Sequence, residues 1–593
     1  MQLLDYTIVG TFLVFTLLLG LQKGWRAWDI ADYAIGGRNY STISLTLTLF
    51  ATMMGSGVTM GMVELACKMG LVIVFINSAY AISRFLIARY FADAFAGFPQ
   101  ALSIASVVGT VYGRGARILT AVLGILSISS LISLQFRGMG TWAQHLLGLN
   151  YGQGLILGAI FITFYSSFGG IKGVTYTDIL QGILIIVGFP VICFFAVQSV
   201  GGLGPLFERT PIEKINPVLH PKFWNEYFPL FILSLIPKFS PQNVHRLLMA
   251  KDARQAKHSF YAMSIMEIVF YMMFGILGLV VCLRSPNIPA KQAFCAIVTD
   301  LLPIGLRGLA VVAVLSVIMS TADSMINTTG VLFAHDIVNP LMEGRLNGRQ
   351  QKVLASWASI GTGILGILFA WKINDIMAMK WLRKALWVPC LMVPIFCLLC
   401  GYRTSKKRFY AAAIAGLSGY ALWEFFVKPY ANTNGILPSM IVNALVLLDV
   451  PAILKRRKVK QQFEDRIKGG ELVEVGQKAS FFQRLARQCE YRTQIFGAPY
   501  LAFGLFMALV YVIPIFMWSP SCCHFRTAIM LHIISLVVIA FLVLKPYWPK
   551  ELKPYWSLCW YGTLMFSLPT IATFYLLDTS DIVHSGFDFI LSS

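Results

Sequence analysis

Ser316, Ser320, Ser324 and Thr328 recur at intervals of four in AVLSVIMSTADSMINTTGVLFAHD, residues 313–336. A helix there carries the four hydroxyls as one stripe, with Thr321 and Asp323 beside it. The stretch is otherwise apolar and long enough to cross a bilayer, where polar groups are costly without partners. Membrane hydroxyls commonly bond back to carbonyls of their own helix or join two helices. A denser set, with a carboxylate alongside, can instead supply oxygen ligands for a hard cation such as Na⁺ once its water is stripped.

The elements that must hold such a stripe follow from composition. Of 593 residues, 57% are hydrophobic and 13% charged, and apolar runs near the length of one membrane span recur almost end to end. The first, residues 6–21, lacks a basic leader region and a small-residue cleavage site, so it reads as a retained span. Twelve more follow, at roughly 43–66, 71–94, 117–137, 152–168, 178–199, 227–250, 259–283, 305–335, 354–374, 382–401, 409–427 and 437–454. The chain is therefore expected to be a multi-pass protein whose main partner is the lipid bilayer.

The net charge of +21 could suit nucleic acid, but its distribution argues against that. Lys and Arg gather in alternate short loops, at Arg84–Arg89, Arg114–Arg117, Lys251–Lys257, Arg345–Lys352 and Arg403–Arg408. This alternation is the positive-inside pattern; it puts those loops in the cytoplasm, together with the basic segment 455–492, and the N-terminus outside. By the same rule Arg246, Lys251 and Arg254 read as topology charges, and His245 and His335 as interfacial. The cysteines show neither a disulfide framework nor metal-ligand spacing. No nucleophile–base pair, metal cluster or phosphate loop indicates an enzyme.

Two apolar runs carry helix breakers. Gly55, Ser56, Gly57 and Gly61 interrupt the second, each interior glycine costing about 1 kcal/mol relative to alanine. Pro237 and Pro241 remove two amide donors from the seventh and leave carbonyls without partners. Interrupted helices at mid-membrane expose backbone to a ligand. Glycine at such spacing also permits close helix packing; read instead as openings, the breaks make Gly55, Ser56, Phe239, Ser240 and Gln242 the candidates for contact with a bound ligand.

Four motifs carry a family resemblance. DYAIGGR at 32–38 leads into TLTLFATMMGSGVTMG; SSFGGIKGVTYTDILQ spans 166–181; PQNVHRLLMAKDARQAK spans 241–257; and MSTADSMIN spans 319–327. In order and spacing they resemble the sodium/solute symporters over residues 1–454. The resemblance implies an all-α membrane protein: an inverted-repeat (5+5) transporter bundle, with one leading and two trailing helices. It implies a Na⁺ site formed by the carbonyls of Ala51, Met54 and Val317 and the hydroxyls of Ser320 and Thr321. Residues 166–181 would form the loop between the fourth and fifth core helices, with Asp178 capping the fifth. Met53 and Gly55 depart from relatives that carry a carboxylate or hydroxyl there. Glu64 and Asp323 are the carboxylates suited to H⁺ as coupling ion instead, although Lys68, one turn beyond Glu64, makes an ion pair the simpler reading.

A basic cytoplasmic linker, 455–494, precedes three further apolar runs at about 495–518, 528–544 and 556–577. This three-helix membrane module, 495–593, resembles over residues 482–580 the membrane sensor portion of bacterial sensor histidine kinases, without kinase motifs. The expected function is secondary active transport in a bacterial inner membrane, as Na⁺-coupled symport of a small organic solute such as an amino acid. The alternative is a transporter-like solute sensor that signals to a histidine kinase or other partner.

Overall fold

The computed structural model describes residues 1–24, 29–285, 290–372, 387–427 and 435–448. The expected linker 455–494 and C-terminal module 495–593 lie outside the described residues. Among those described there is no strand, and eight helices are long and apolar enough to cross a membrane. The chain divides into two compact units. The larger comprises Met1–Pro221, Pro237–Leu399 and Arg403–Leu447. In the smaller, the described part includes a wide turn at Phe223–Tyr227 leading into a short apolar helix, with Trp224 packed against Phe228 at 5.5 Å between ring centroids.

The larger unit begins with α1 (Leu3–Gly24) and the short α2 (Ile30–Ile35), which Asp29 caps by accepting a hydrogen bond from the Asp32 amide at 2.8 Å. Ser41 caps α3 (Thr42–Met53) in the same way through the Ser44 amide. The helix then stops in the middle of its apolar run. Residues 54–59 form a turn in which the Val58 and Thr59 amides share the Gly55 carbonyl, and α4 (Met60–Met69) resumes beyond it. The glycines thus break the helix where the sequence expects.

Next come α5 (Val72–Ala96), α6 (Ile104–Tyr112), α7 (Arg114–Leu147), α8 (Tyr151–Gln198), α9 (Leu203–Arg209) and α10 (Ile212–Ile215). The smaller unit contributes α11 (Phe228–Leu235) to the order. After the five-residue interruption 236–240, the larger unit continues with α12 (Pro241–Leu248), α13 (Ala253–Arg284), α14 (Ala290–Asp300), α15 (Leu306–Val331), α16 (Asn339–Leu341) and α17 (Gly348–Lys372). Helical segments at Val388–Leu399, Lys406–Val427 and Ile436–Leu448 complete the described chain.

The loop expected between the fourth and fifth core helices is absent. α8 spans 48 residues as two helical stretches that meet at Gly170, whose φ of 55° and ψ of −174° lie outside helical space. Asp178 consequently falls inside the second half of α8, not at a helix start.

At the centre stands α15. Every residue from Ala310 to Val331 is buried, so hydroxyls and carboxylate alike face protein on all sides. Its most extensive neighbour is α8. The two approach closely at Gly188, where a Cβ would lie 2.3 Å from that of Ala313, a small-on-small contact typical of membrane helix pairs.

Candidate functional site

The break after α3 delivers backbone oxygens to the hydroxyl stripe of α15. Ser320 Oγ donates to the Ala51 carbonyl at 2.9 Å and lies 3.4 Å from that of Val317. Thr321 Oγ1 is 3.1 Å from the carbonyls of both Thr52 and Val317. Met54, the first residue beyond α3, is buried, and its amide bonds back to Phe50 and Ala51. Ala51, Val317, Ser320 and Thr321 thus meet through hydroxyl–carbonyl contacts and Met54 joins Ala51 by its amide, in a buried setting with no formal charge of their own. Neutral, hard oxygens of this kind suit a monovalent cation that must be released again.

Thr321 also lines a cavity of about 240 Å³. Its walls come from both interruptions, at 55–58 and 238–240, and from α3, α5, α7, α12, α13 and α15. Of the expected solute residues, Gly55, Ser240 and Gln242 line it. Ser56 and Phe239 do not. The Ser56 amide bonds Gln135 Oε1 at 2.8 Å and its hydroxyl donates to the Leu134 carbonyl at 3.0 Å, so Ser56 ties the broken helix to α7. Phe239 is packed between Phe91 and Phe95, with centroids 5.0 and 6.2 Å away. In a five-residue interruption without regular periodicity, sequence spacing gives no rule for which side chains face inward.

Arg84, Lys238, Asn243, Tyr80 and Tyr271 also line the cavity, and no sequence pattern singled them out. Arg84, expected in the basic loop 84–89, belongs instead to the interior of α5, and its Nη2 pairs with buried Glu267 at 3.0 Å. A charge within an apolar run of spanning length was the available signal, as was a lysine between two helix-breaking prolines for Lys238.

Three further readings are corrected in the same way. Arg246 is buried rather than facing the cytoplasmic surface, and its Nη2 reaches Asp178 Oδ2 at 2.9 Å and Thr52 Oγ1 at 3.0 Å, with Ser324 Oγ also in contact. Thr48 donates to the same carboxylate oxygen. Asp178 therefore joins α3, α8, α12 and α15 instead of capping a helix. His245 is buried, with Nε2 2.6 Å from the Ala34 carbonyl and Nδ1 3.0 Å from Thr328 Oγ1.

Asp323 lies on another face of α15. It accepts from Tyr165 OH at 2.9 Å and from the Ser324 amide at 2.6 Å, with Thr177 at 3.4 Å. It does not line the cavity. Glu64 pairs with Lys68 at 3.0 Å, with Lys68 largely exposed, in keeping with their spacing. His335 is half-buried and bonds Gln351 at 3.0 Å. Among the described residues no His, Cys, Asp or Glu cluster could hold a metal ion through acidic or soft ligands.

The four motifs, distant in sequence, converge in space. Lys172 pairs with Asp32 at 2.9 Å, and Tyr33 OH donates to the Ser167 carbonyl at 3.1 Å. Arg38 Nε donates to the Leu248 carbonyl at 2.9 Å. Asn327 Nδ2 reaches the Tyr33 carbonyl at 3.5 Å.

Several known proteins are similar to this chain. The Sodium/pantothenate symporter of Escherichia coli (strain K12) is 23% identical over 439 residues, covering 70% of this chain and 89% of its own length. The Osmoregulated proline transporter OpuE of Bacillus subtilis (strain 168) is 21% identical over 486 residues, covering 76% and 94%. The structure of a Na⁺-coupled sialic acid symporter, in a substrate-bound outward-open state, aligns over 75% of this chain and 96% of its own, with a TM-score of 0.65 and 17% identity. These are transporters, not enzymes. The profile of the Sodium:solute symporter family matches residues 33–405, a segment that contains both helix interruptions and the whole hydroxyl stripe, and the chain belongs to that family.

Proposed function

We propose that this protein is a Na⁺-coupled symporter of a small organic solute, such as an amino acid, working by alternating access in a bacterial inner membrane. One observation carries the reading: Thr321 belongs both to the neutral oxygen cluster and to the wall of the cavity. An ion at the cluster and a solute in the cavity would therefore touch one residue, which is a physical route for each to stabilise the other. The relatives named as pantothenate and proline transporters support small organic solutes as the class. Na⁺ is favoured over H⁺ because the cluster is neutral, while Asp323 is held by Tyr165 away from the cavity.

The double change Ser320→Ala, Thr321→Ala tests the ion site. It removes both hydroxyls and keeps the helix, so the protein should insert normally and lose Na⁺-dependent uptake in proteoliposomes. Unaltered Na⁺ dependence in that variant would remove the basis of the assignment.

A further inference from the structure

A second cluster, which does not line the cavity, sits where the broken helix ends. Cys67, near the end of α4, and Cys282, near the end of α13, are 215 positions apart, so cysteine spacing gives no sign that they pair. The helices bring them together. At Gly278, one turn before Cys282, α13 comes so close that a Cβ would lie 2.4 Å from that of Ala66 and 3.1 Å from the Cys67 amide nitrogen. Cys282 Sγ donates to the Cys67 carbonyl at 3.2 Å, and the two thiols are within hydrogen-bonding reach of each other. Both are free and half-buried. Lys214 of α10 completes the cluster: its Nζ donates to the Cys67 carbonyl at 2.8 Å and to Cys282 Sγ at 3.4 Å, while its own carbonyl accepts from the Leu71 amide at 2.7 Å. α13 starts in the basic stretch Lys251–Lys257, which the positive-inside rule puts in the cytoplasm, so its far end, with all three residues, faces outward.

We propose that Cys67 and Cys282 form a redox-active dithiol on the outer face, oxidised by exchange with an external disulfide to a bond that clamps the end of α4 to α13. The Cys282 thiolate attacks one sulfur of the external disulfide, whose S–S bond breaks, and the other half leaves as a thiolate. Cys67, as thiolate, then attacks the Cys282 sulfur of the mixed disulfide and expels the second half. The pair gives up two electrons and two protons, and the external disulfide takes them up as two thiols. Lys214 holds its ammonium against the Cys282 sulfur, where the attacking negative charge resides. In the bacterial inner membrane proposed above, this face meets the periplasm, a compartment in which disulfides persist. α4 is the arm that resumes beyond the break at 54–59, and the break itself supplies Gly55, Gly57 and Val58 to the cavity wall. The clamp therefore fixes the outer end of an arm whose inner end borders the cavity.

The test uses the full chain in right-side-out membrane vesicles, reduced, washed free of reductant and exposed to oxidised glutathione, which does not cross the bilayer. Free thiols are then blocked, and peptides from a digest without reductant are identified by mass spectrometry. A linked Cys67–Cys282 peptide should form and should disappear on renewed reduction. Cys67→Ser should instead trap glutathione on Cys282, the intermediate that its partner would have resolved. The oxidised chain in detergent should unfold at least about 2 °C above the reduced one, because closing so long a loop restricts the unfolded chain, and the double change Cys67→Ser, Cys282→Ser should abolish that difference. Failure to form the linked peptide overturns the redox site. A linked pair with an unchanged unfolding temperature overturns the clamp. Neither readout uses Na⁺ or solute, so both outcomes are separate from the fate of the symport reading.

Discussion

Arg246 and Asp178 show how much a single buried pair decides. Removing one partner leaves the other charged and without compensation, so Arg246→Gln should destabilise the protein by about 3–5 kcal/mol. Combining it with Asp178→Asn should recover part of that loss, because the pair is then neutral, and a double-mutant cycle in thermal unfolding measures the coupling. A cycle with no interaction energy would mean that the two groups act independently. Asp323→Asn is expected to behave otherwise: Tyr165 keeps a partner, so Na⁺-dependent uptake should persist with no new pH dependence, whereas loss of Na⁺ coupling would make Asp323 part of the ion path. The hydroxyl stripe was legible as a period of four in an apolar run, whereas Ser320 and Thr321 were singled out for the ion by the family resemblance, and the structure sets both against carbonyls of the broken helix. Arg246, His245 and Arg84 were not legible. Basic residues near the ends of apolar runs normally mark topology, which hid Arg246 and His245, while Arg84 was grouped with Arg89 as a loop although it lies inside an apolar run; the packing turns all three inward to meet Asp178, Ala34 and Glu267.

Two glycines govern how the helices are interrupted and joined. At Gly55 a Cβ would approach Gln135 Nε2 to 2.9 Å and Thr321 to 3.0 Å. Gly55→Ala should therefore push both neighbours and weaken Na⁺ and solute binding together, which titrations of each ligand would reveal. At Gly170 the backbone adopts a φ of 55°, and a Cβ would lie 2.8 Å from the Tyr33 ring. Alanine there is expected to cost about 1–3 kcal/mol from the backbone alone, measurable as lowered thermal stability. The break in α3 was legible from its glycines, and the one before α12 from its prolines. The kink of α8 was not, because SSFGGIKGV combines small and polar residues that suit a loop and a kinked helix equally. Its helical course is secured by tertiary contacts such as Tyr33 to Ser167 and Lys172 to Asp32, which local sequence does not display.

All the residues assigned to ion and solute lie between positions 51 and 321. A chain ending at Lys458 should accordingly keep Na⁺-linked solute binding close to that of the full chain, and a correctly inserted truncation that binds nothing would mean that the C-terminal segment belongs to the transport unit. The broad architecture was legible because spanning runs, basic alternation and four ordered motifs all pointed one way. The cavity was not, since its walls are drawn from separate parts of the chain, far apart in sequence. One contact sets a constraint on how the protein can work. With Na⁺ at the oxygen cluster and solute in the cavity, as proposed, the two occupancies form a closed thermodynamic cycle: whatever factor Na⁺ adds to solute affinity, solute must add to Na⁺ affinity. A solute whose affinity Na⁺ raises is therefore obliged to slow the escape of the ion or to speed its capture, and that mutual hold is set where Thr321 meets Thr52, the two residues common to the cluster and the cavity wall.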